Sequence, residues 1–385
     1  MRIIICCSFF PPIISGDGNS AYTLAQELSK LGNRITILSL NPNNVYPPKS
    51  IVNHIEIIRS YYLKNSFFNK LQSRYFYVKN LLFIINECDL IIVYGRMLGF
   101  WLILLVGLFY KKKLVYRSTL IGLDDSLTLK RKHPIFFRLL LKKIDFYFAI
   151  NLALKDMWVK SGLLPSKVFA SPQGVDLTVF KPCFDDNLKS TIKERENLPK
   201  NIPTICSIGD LCIRKGYFEV SDVLSKIDLD YNWIILGSDE PNPYLWGSKA
   251  NGEEIYSVKK YLINNNKTKL KLIGQKQNPE DYLVASDIFI HFAKAEGTPN
   301  VVLQAMACGL PCIVKPIEAI VSLGLKNNIH CFFAETPNEI SEKIIFLLLN
   351  FEKRRELGHN ARIFAEEHFN ATLIAEKFIR FILNS

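Results

Sequence analysis

Residues Glu296–Val314, EGTPNVVLQAMACGLPCIV, read in order as strand end, loop, helix, turn and strand. Pro299 suits a first helical turn, Gly309 the position just past a helix end, and Leu310-Pro311 the re-entry into a strand. A helix that starts at the carboxyl edge of a sheet offers unpaired backbone N–H groups and a partial positive charge to an anion. The amides of Gly297, Thr298, Pro299's neighbours Asn300 and Val301, and Val302 lie where such an anion would rest. Glu296, just ahead of them, has a carboxylate able to accept hydrogen bonds from hydroxyl groups, and Gln304 lies on the helix, about two turns further on than Glu296. Without a ligand, the same stretch is an ordinary turn of an α/β fold.

Working outward, the preceding residues supply strand candidates at 204–208, 233–236, 269–273 and 288–291, and the stretch itself leads into another at 311–314. The first half repeats the pattern. An apolar strand at 3–9 runs into a Pro/Gly loop and then SAYTLAQELSKLG, where Leu24, Leu28 and Leu31 recur at helical spacing before Gly32, and the next strand spans 35–40. That βαβ order implies a parallel sheet, continued by strands at 90–94, 113–117 and 146–150. The expected fold is therefore α/β, with two Rossmann-like doubly wound domains whose ligands bind at the carboxyl ends of the strands, in a cleft between them. The predicted boundaries are 1–180 for the first domain and 181–365 for the second. Residues 181–203 form a polar, proline-punctuated linker at their junction, and a helix at 366–385 packs back on the first domain.

Composition excludes several classes. With 49% hydrophobic and 22% charged residues the chain can bury large cores. The one membrane-like run, Met97–Tyr110, is shorter than the ~20 residues needed to span hydrocarbon, and reads as a buried helix. The opening MRIIICCSFFPP reads as a strand and not as a signal peptide, so the expected location is the cytoplasm. Nine cysteines without C-x-x-C spacing suit reduced thiols. The six histidines show no metal-ligand spacing, and His291 reads as a packed residue at a strand end. The net charge of +12 is unevenly placed: residues 1–180 hold 23 Lys+Arg against 10 Asp+Glu, the remainder 25 against 26. Lys111–Lys113 and KRKHPIFFRLLLKK (130–143) interleave cations with apolar residues, which suits either a solvated helix face or the inner face of an anionic membrane, and no nucleic-acid module accompanies them.

The Glu296 block resembles the E-x7-E signature of family 4 retaining glycosyltransferases of the GT-B fold, the glycosyl transferases group 1. The resemblance implies that Glu296 contacts the transferred sugar and that Gln304, standing where the family has a second Glu, contacts the ribose. TICSIGDLCIRKG (204–216) resembles the family's G-R-x4-K-G, with Gly209 and Lys215-Gly216 matching, so that Lys215 grips the donor diphosphate. Asp210 stands where the family has Arg; either it points away or Arg214 supplies the missing charge. Weaker likenesses follow in family order: PPIISGDGNS with Gly16, Asp17 and Gly18; SPQGVDLTVFKP from Ser171, with Gln173 for Asn; and WIILGSDEP with Gly237 near the base. RSTLIGLDD (117–125) stands where the family often has His-Gly, so Arg117, Ser118 or Asp124 is expected in the cleft. Taken over the whole chain, the resemblance implies retaining transfer from a nucleotide sugar to a saccharide or lipid-linked acceptor, as in bacterial surface-polysaccharide assembly. It implies no metal and no cofactor, the nucleotide sugar being a substrate. A non-catalytic binding subunit, favoured by Asp210 and Gln304, and an epimerase or phosphorylase of the same fold remain the alternatives.

Overall fold

A computed structural model describes residues 1–13, 15–63, 66–183, 186–240, 252–266 and 268–384. Ile14 of the N-terminal glycine loop, residues 184–185 of the expected linker and Pro241 of WIILGSDEP lie outside the described residues. The chain divides into two units, Met1–Gly174 with Ala371–Ser385, and Val175–Asn370. The sequence reading put these divisions at 180/181 and 365/366.

The first unit runs β1 (Arg2–Cys6), α1 (Gly16–Lys30), β2 (Arg34–Pro42), β3 (Lys49–Val52), β4 (Ile55–Tyr62), α2 (Phe67–Ile84), β5 (Leu90–Tyr94), α3 (Phe100–Phe109), β6 (Lys113–Ser118), α4 (Ser126–Lys132), α5 (Pro134–Leu139), β7 (Phe146–Ala149), α6 (Leu152–Lys160) and β8 (Val168–Ala170). Its sheet has the order β3-β4-β2-β1-β5-β6-β7-β8, parallel except for the antiparallel β3–β4 pair. Ile3 pairs with Ile35 on one side and Leu90 on the other. These strands are apolar at nearly every position because helices cover both faces, and Ile5, Ile37, Ile92 and Val115 are fully buried. Ser15 caps α1, its hydroxyl accepting from the Gly18 amide at 3.0 Å.

The second unit runs α7 (Asp186–Arg195), β9 (Thr204–Ile208), α8 (Tyr217–Leu224), β10 (Asn232–Leu236), α9 (Gly252–Asn266), β11 (Leu270–Gly274), α10 (Pro279–Val284), β12 (Ile288–His291), α11 (Asn300–Ala307), β13 (Cys312–Val314), α12 (Glu318–Val321), β14 (Phe332–Phe333), α13 (Pro337–Leu349) and α14 (Phe351–His368). All pairs in its sheet, β11-β10-β9-β12-β13-β14, are parallel. The order reverses between β9 and β12, and a crevice opens at such a switch point beside the carboxyl ends of the two strands. The first unit reverses in the same way between β1 and β5.

Three expectations need correction. The segment 181–203 is not a bare linker: it contains α7, whose Ile192 is buried in the second core, while the Lys193 ammonium donates to the carbonyls of Lys200 (3.2 Å) and Ile202 (3.1 Å). Helix α3 is not wholly buried. Ile103 and Leu104 face the sheet, but Leu102, Leu105 and Phe109 are exposed, because one side of this apolar run has no covering element among the described residues. Finally, Lys111–Lys113 is only in part an open cationic patch: Lys111 and Lys113 are exposed, but the Lys112 ammonium donates to the Cys88 and Asn86 carbonyls, and that of Lys113 lies over the Phe146 ring.

The last helix, α15 (Ala371–Leu383), belongs to the first unit. It is strongly amphipathic, and Ile374, Phe378 and Ile382 join the core formed by Ile3, Leu28 and Phe148. Thr372 donates to the Glu27 carboxylate at 2.7 Å. Both chain crossings are tightly packed: a side chain on Gly174 would lie 2.5 Å from Ala371 Cα, and the Val175 amide donates to Phe369 at 2.7 Å.

Candidate active site

The carboxyl ends of β9, β10 and β11 each finish in glycine: Gly209, Gly237 and Gly274. Gly237 has φ +154, and a Cβ there would lie 2.0 Å from the Gly209 carbonyl oxygen, so the two loops touch backbone to backbone. After Gly209 a short helical turn, Ile213–Lys215, ends at Gly216, whose φ is +74 and where a Cβ would lie 2.2 Å from the Phe292 carbonyl oxygen, so that no side chain fits. The Tyr217 hydroxyl donates to the Gly209 carbonyl at 2.7 Å and the Lys294 amide to the Arg214 carbonyl at 2.8 Å. These bonds fix the turn against the loop that follows β12.

That loop carries Glu296, and the two motifs, 81 residues apart in sequence, meet at its carboxylate. Lys215 Nζ donates to Glu296 Oε1 at 2.7 Å and Arg214 Nη1 lies 3.0 Å from the same oxygen. Lys215 and Glu296 side chains are 13% and 12% exposed, Arg214 49%. Lys215 is therefore no surface lysine; its stem lies over Gly209, where a Cβ would meet Lys215 Cε at 2.8 Å. His291, buried at the end of β12, brings Nε2 to 3.5 Å from Glu296 Oε1, a contact too long to count as a good hydrogen bond. Burial acts to raise the Glu296 pKa, but the His291 contact and the Lys215 and Arg214 charges outweigh it and hold the carboxyl well below its usual range. Burial likewise lowers the His291 pKa, with the glutamate opposing, which favours the neutral imidazole.

Asp210 turns aside: its carboxylate accepts from the Ser238 amide at 3.2 Å, while Arg214 reaches Glu296. The Asp210 carboxylate is thus engaged by the neighbouring loop, and a second cation, Arg214, stands beside Lys215 at Glu296. Helix α11 begins at Asn300 behind Pro299 with no side-chain cap, and Thr298 Oγ1 and Asn300 Oδ1 are buried without a hydrogen-bond partner among the described residues. Gly297 and Val301 are half-buried alongside them, as is Gln304 in the next turn. Two cations, one carboxylate and an uncapped helix start therefore converge at the β9–β12 switch point.

In the first unit, Gly16 and Asp17 are exposed at the start of α1. Crowding by protein raises the Asp17 pKa, with Arg117 opposing. A side chain on Gly18 would strike the Phe9 carbonyl at 2.7 Å. The other expected ligands are committed internally. The Arg117 guanidinium bonds the Tyr94 hydroxyl at 3.0 Å and lies over the Phe148 ring; Ser118 accepts from Trp158 Nε1 at 2.6 Å. Asp124 accepts from the amides of Thr119 and Leu120 and from the Thr119 hydroxyl. All three are almost wholly buried, so the expectation that they present themselves to a ligand is not met. Sequence reasoning set His291 aside as packing, and its contact with Glu296 had one sequence signal: its place at the last residue of the strand before the motif loop.

Residues 189–364, all within the second unit, match the model of the family described as glycosyl transferases group 1. The second unit is a glycosyl transferases group 1 domain. The wider chain is 27% identical over 334 residues to an uncharacterized glycosyltransferase of Methanocaldococcus jannaschii, covering 82% of this chain and 79% of that protein. It is 30% identical over 191 residues to the UDP-Gal:alpha-D-GlcNAc-diphosphoundecaprenol alpha-1,3-galactosyltransferase of Escherichia coli, a match spanning 48% of this chain and 44% of that one. The crystal structure of HepE from Anabaena in complex with UDP and glucose superposes with a TM-score of 0.77 over 100% of both chains at 14% identity, which shows a shared GT-B fold of two Rossmann-like domains.

Proposed function

We propose that the protein is a retaining glycosyltransferase that moves a sugar from a nucleoside-diphosphate donor to a saccharide or lipid-linked acceptor. The observation that carries this reading is the convergence of Lys215 and Arg214 on Glu296 beside the uncapped start of α11. With donor bound, the two cations and the α11 amides face the diphosphate, where negative charge grows as the sugar departs. The released Glu296 carboxylate then accepts hydrogen bonds from the sugar, and the Gln304 amide meets the ribose with neutral bonds, roughly half as strong as charge-assisted ones. The bond from the anomeric carbon to the phosphate oxygen breaks, the acceptor hydroxyl bonds the same face, and its proton passes to a departing phosphate oxygen. In this proposal Lys215, Arg214 and the amides supply the positive charge, and transfer requires neither metal nor cofactor. The galactosyltransferase of E. coli, named for a diphosphoundecaprenol acceptor, supports the lipid-linked class, and with it we propose a role in surface-polysaccharide assembly at the cytoplasmic membrane face.

The test is nucleotide release from UDP-, GDP- and ADP-sugars with and without a synthetic polyprenyl-diphosphate sugar, in the presence of EDTA, followed by assignment of the product anomer. Acceptor-dependent release with the donor's anomeric configuration kept supports the reading; inversion or dependence on added metal contradicts it. The replacement of the second Glu by Gln304 favours a second reading, a donor-binding subunit without turnover, which any acceptor-dependent product dismisses.

A further inference from the structure

Because β4, β5 and β6 are parallel, the elements that follow them, α2, α3 and α4–α5, all start at the carboxyl edge of the first sheet. Their early residues are apolar and unusually open to solvent: Phe67 is 73% exposed, Phe68 79%, Ile135 69% and Phe136 50%. These side chains form one surface. Phe68, Leu71 and Tyr75 of α2 line a shallow hollow with Leu102 of α3, and Trp101 of α3 stacks obliquely on Phe136 of α5 with ring centroids 5.3 Å apart. Just ahead of α4, the loop Leu120–Leu123 holds three more exposed aliphatic side chains, and the buried carboxylates of Asp124 and Asp125 tie down its amides.

The polar residues around this surface carry a single sign of charge. Lys70, Arg74, Arg96, Lys130, Arg131 and Lys132 lie along the same elements and their connecting loops. Between residues 66 and 139 the carboxylates are Glu87, Asp89, Asp124 and Asp125. The first pair sits at the start of β5, at the opposite edge of the sheet, where Asp89 pairs with Arg2; the second pair is buried. An apolar face whose exposed charges between residues 66 and 139, at this edge, are all cations matches a layer with a hydrocarbon interior and an anionic surface. A second copy of this chain fits poorly, since a two-fold contact would set cations against cations.

We infer that the α2–α3–α5 rim of the first unit docks on the surface of an anionic lipid bilayer. The inference rests on the lipid-linked acceptor reading and deepens it, because docking brings the headgroup plane to the carboxyl edge of that sheet. The docking cations of this rim are Lys130–Lys132 and their neighbours on the first unit, and not Lys111–Lys113, which follows α3 at the other end of the strands.

The test is co-sedimentation of the full chain with vesicles of phosphatidylglycerol in phosphatidylcholine, beside pure phosphatidylcholine vesicles. Wild type is expected to partition onto the anionic vesicles only. Each cation removed by Lys130→Ser, Arg131→Ser and Lys132→Ser is expected to weaken partition about fivefold. Phe67→Ser with Phe68→Ser is expected to weaken it at least tenfold, whereas Phe109→Ser, at the far end of α3, leaves it unchanged. Unchanged thermal midpoints show that the variants fold. Equal sedimentation of wild type and rim variants, or equal binding to neutral vesicles, overturns the inference. So does self-association abolished by Phe67→Ser with Phe68→Ser in the absence of vesicle binding. Nucleoside-diphosphate binding, measured on the same samples without vesicles, separates the two readings: it reports on the donor site alone.

Discussion

Glu296→Gln should uncouple binding of a nucleoside diphosphate from turnover. In the unliganded protein the Glu296 carboxylate occupies both Lys215, at 2.7 Å, and Arg214, at 3.0 Å. An incoming diphosphate must therefore displace a carboxylate from the very cations it needs. A hydrogen bond to a charged group contributes about 1.5–3 kcal/mol net, and the neutral amide of glutamine keeps roughly half of such a bond. The substitution therefore releases about 1 kcal/mol of competition, and calorimetric titration with UDP, or with whichever nucleoside diphosphate shifts the melting temperature, should show binding about fivefold tighter. Turnover should move the other way. Loss of the carboxylate that holds the sugar costs about 3 kcal/mol in the transition state, a hundredfold or more in kcat, by comparison with other single site groups. A nucleoside diphosphate bound more weakly by the variant, with kcat unchanged, would refute the competition and the role given to Glu296 together.

Other consequences follow from single features of the fold. Gly216→Ala places a Cβ 2.2 Å from the Phe292 carbonyl at φ +74, and should destabilise the second unit by about 3 kcal/mol or more in urea unfolding. Burial raises the Asp124 pKa to about 7 against its amide and hydroxyl donors. Since the folded pKa exceeds the unfolded value near 3.8, this group favours the folded state most at low pH and that stability drains as pH rises from about 4 to 7; Asp124→Asn should flatten that part of a stability–pH profile. Glu296 acts in the opposite sense, its lowered pKa giving stability above about pH 4.5 that is lost on acidification. Phe378 of α15 packs against Phe148 and Phe169 of the first core, so Phe378→Ala should cost about 3–5 kcal/mol in the stability of that unit, read by denaturant unfolding.

The main strands and the crossover helices were legible because a strand buried on both faces must be apolar at nearly every position, as in IIIC of β1 and LIIVY of β5. Four strands escaped: β3 is a four-residue, largely exposed edge, β4 contains Arg59 and Ser60 among its apolar residues, and β8 and β14 have only three and two residues. Helix α7 escaped because its surface is polar and only Ile192 marks its buried side. At the site, Lys215 and Glu296 could be named from their motifs, but not their contact, since nothing local joins residues 81 apart. That contact exists because β9 lies beside β12 in the sheet order. Asp124 shows the converse: an aspartate in a loop that binds its own backbone reads like one that binds a ligand, because both use the same acceptor.

The central claim is that a donor diphosphate rests on Lys215 at the start of α11. Titration calorimetry of wild type and Lys215→Ala with the nucleoside diphosphate and its nucleoside tests it most directly. The diphosphate should bind wild type and should bind Lys215→Ala at least tenfold more weakly, and the nucleoside, which lacks the phosphates, should bind wild type far more weakly than the diphosphate does. Equal affinity of the two proteins for the diphosphate would contradict it.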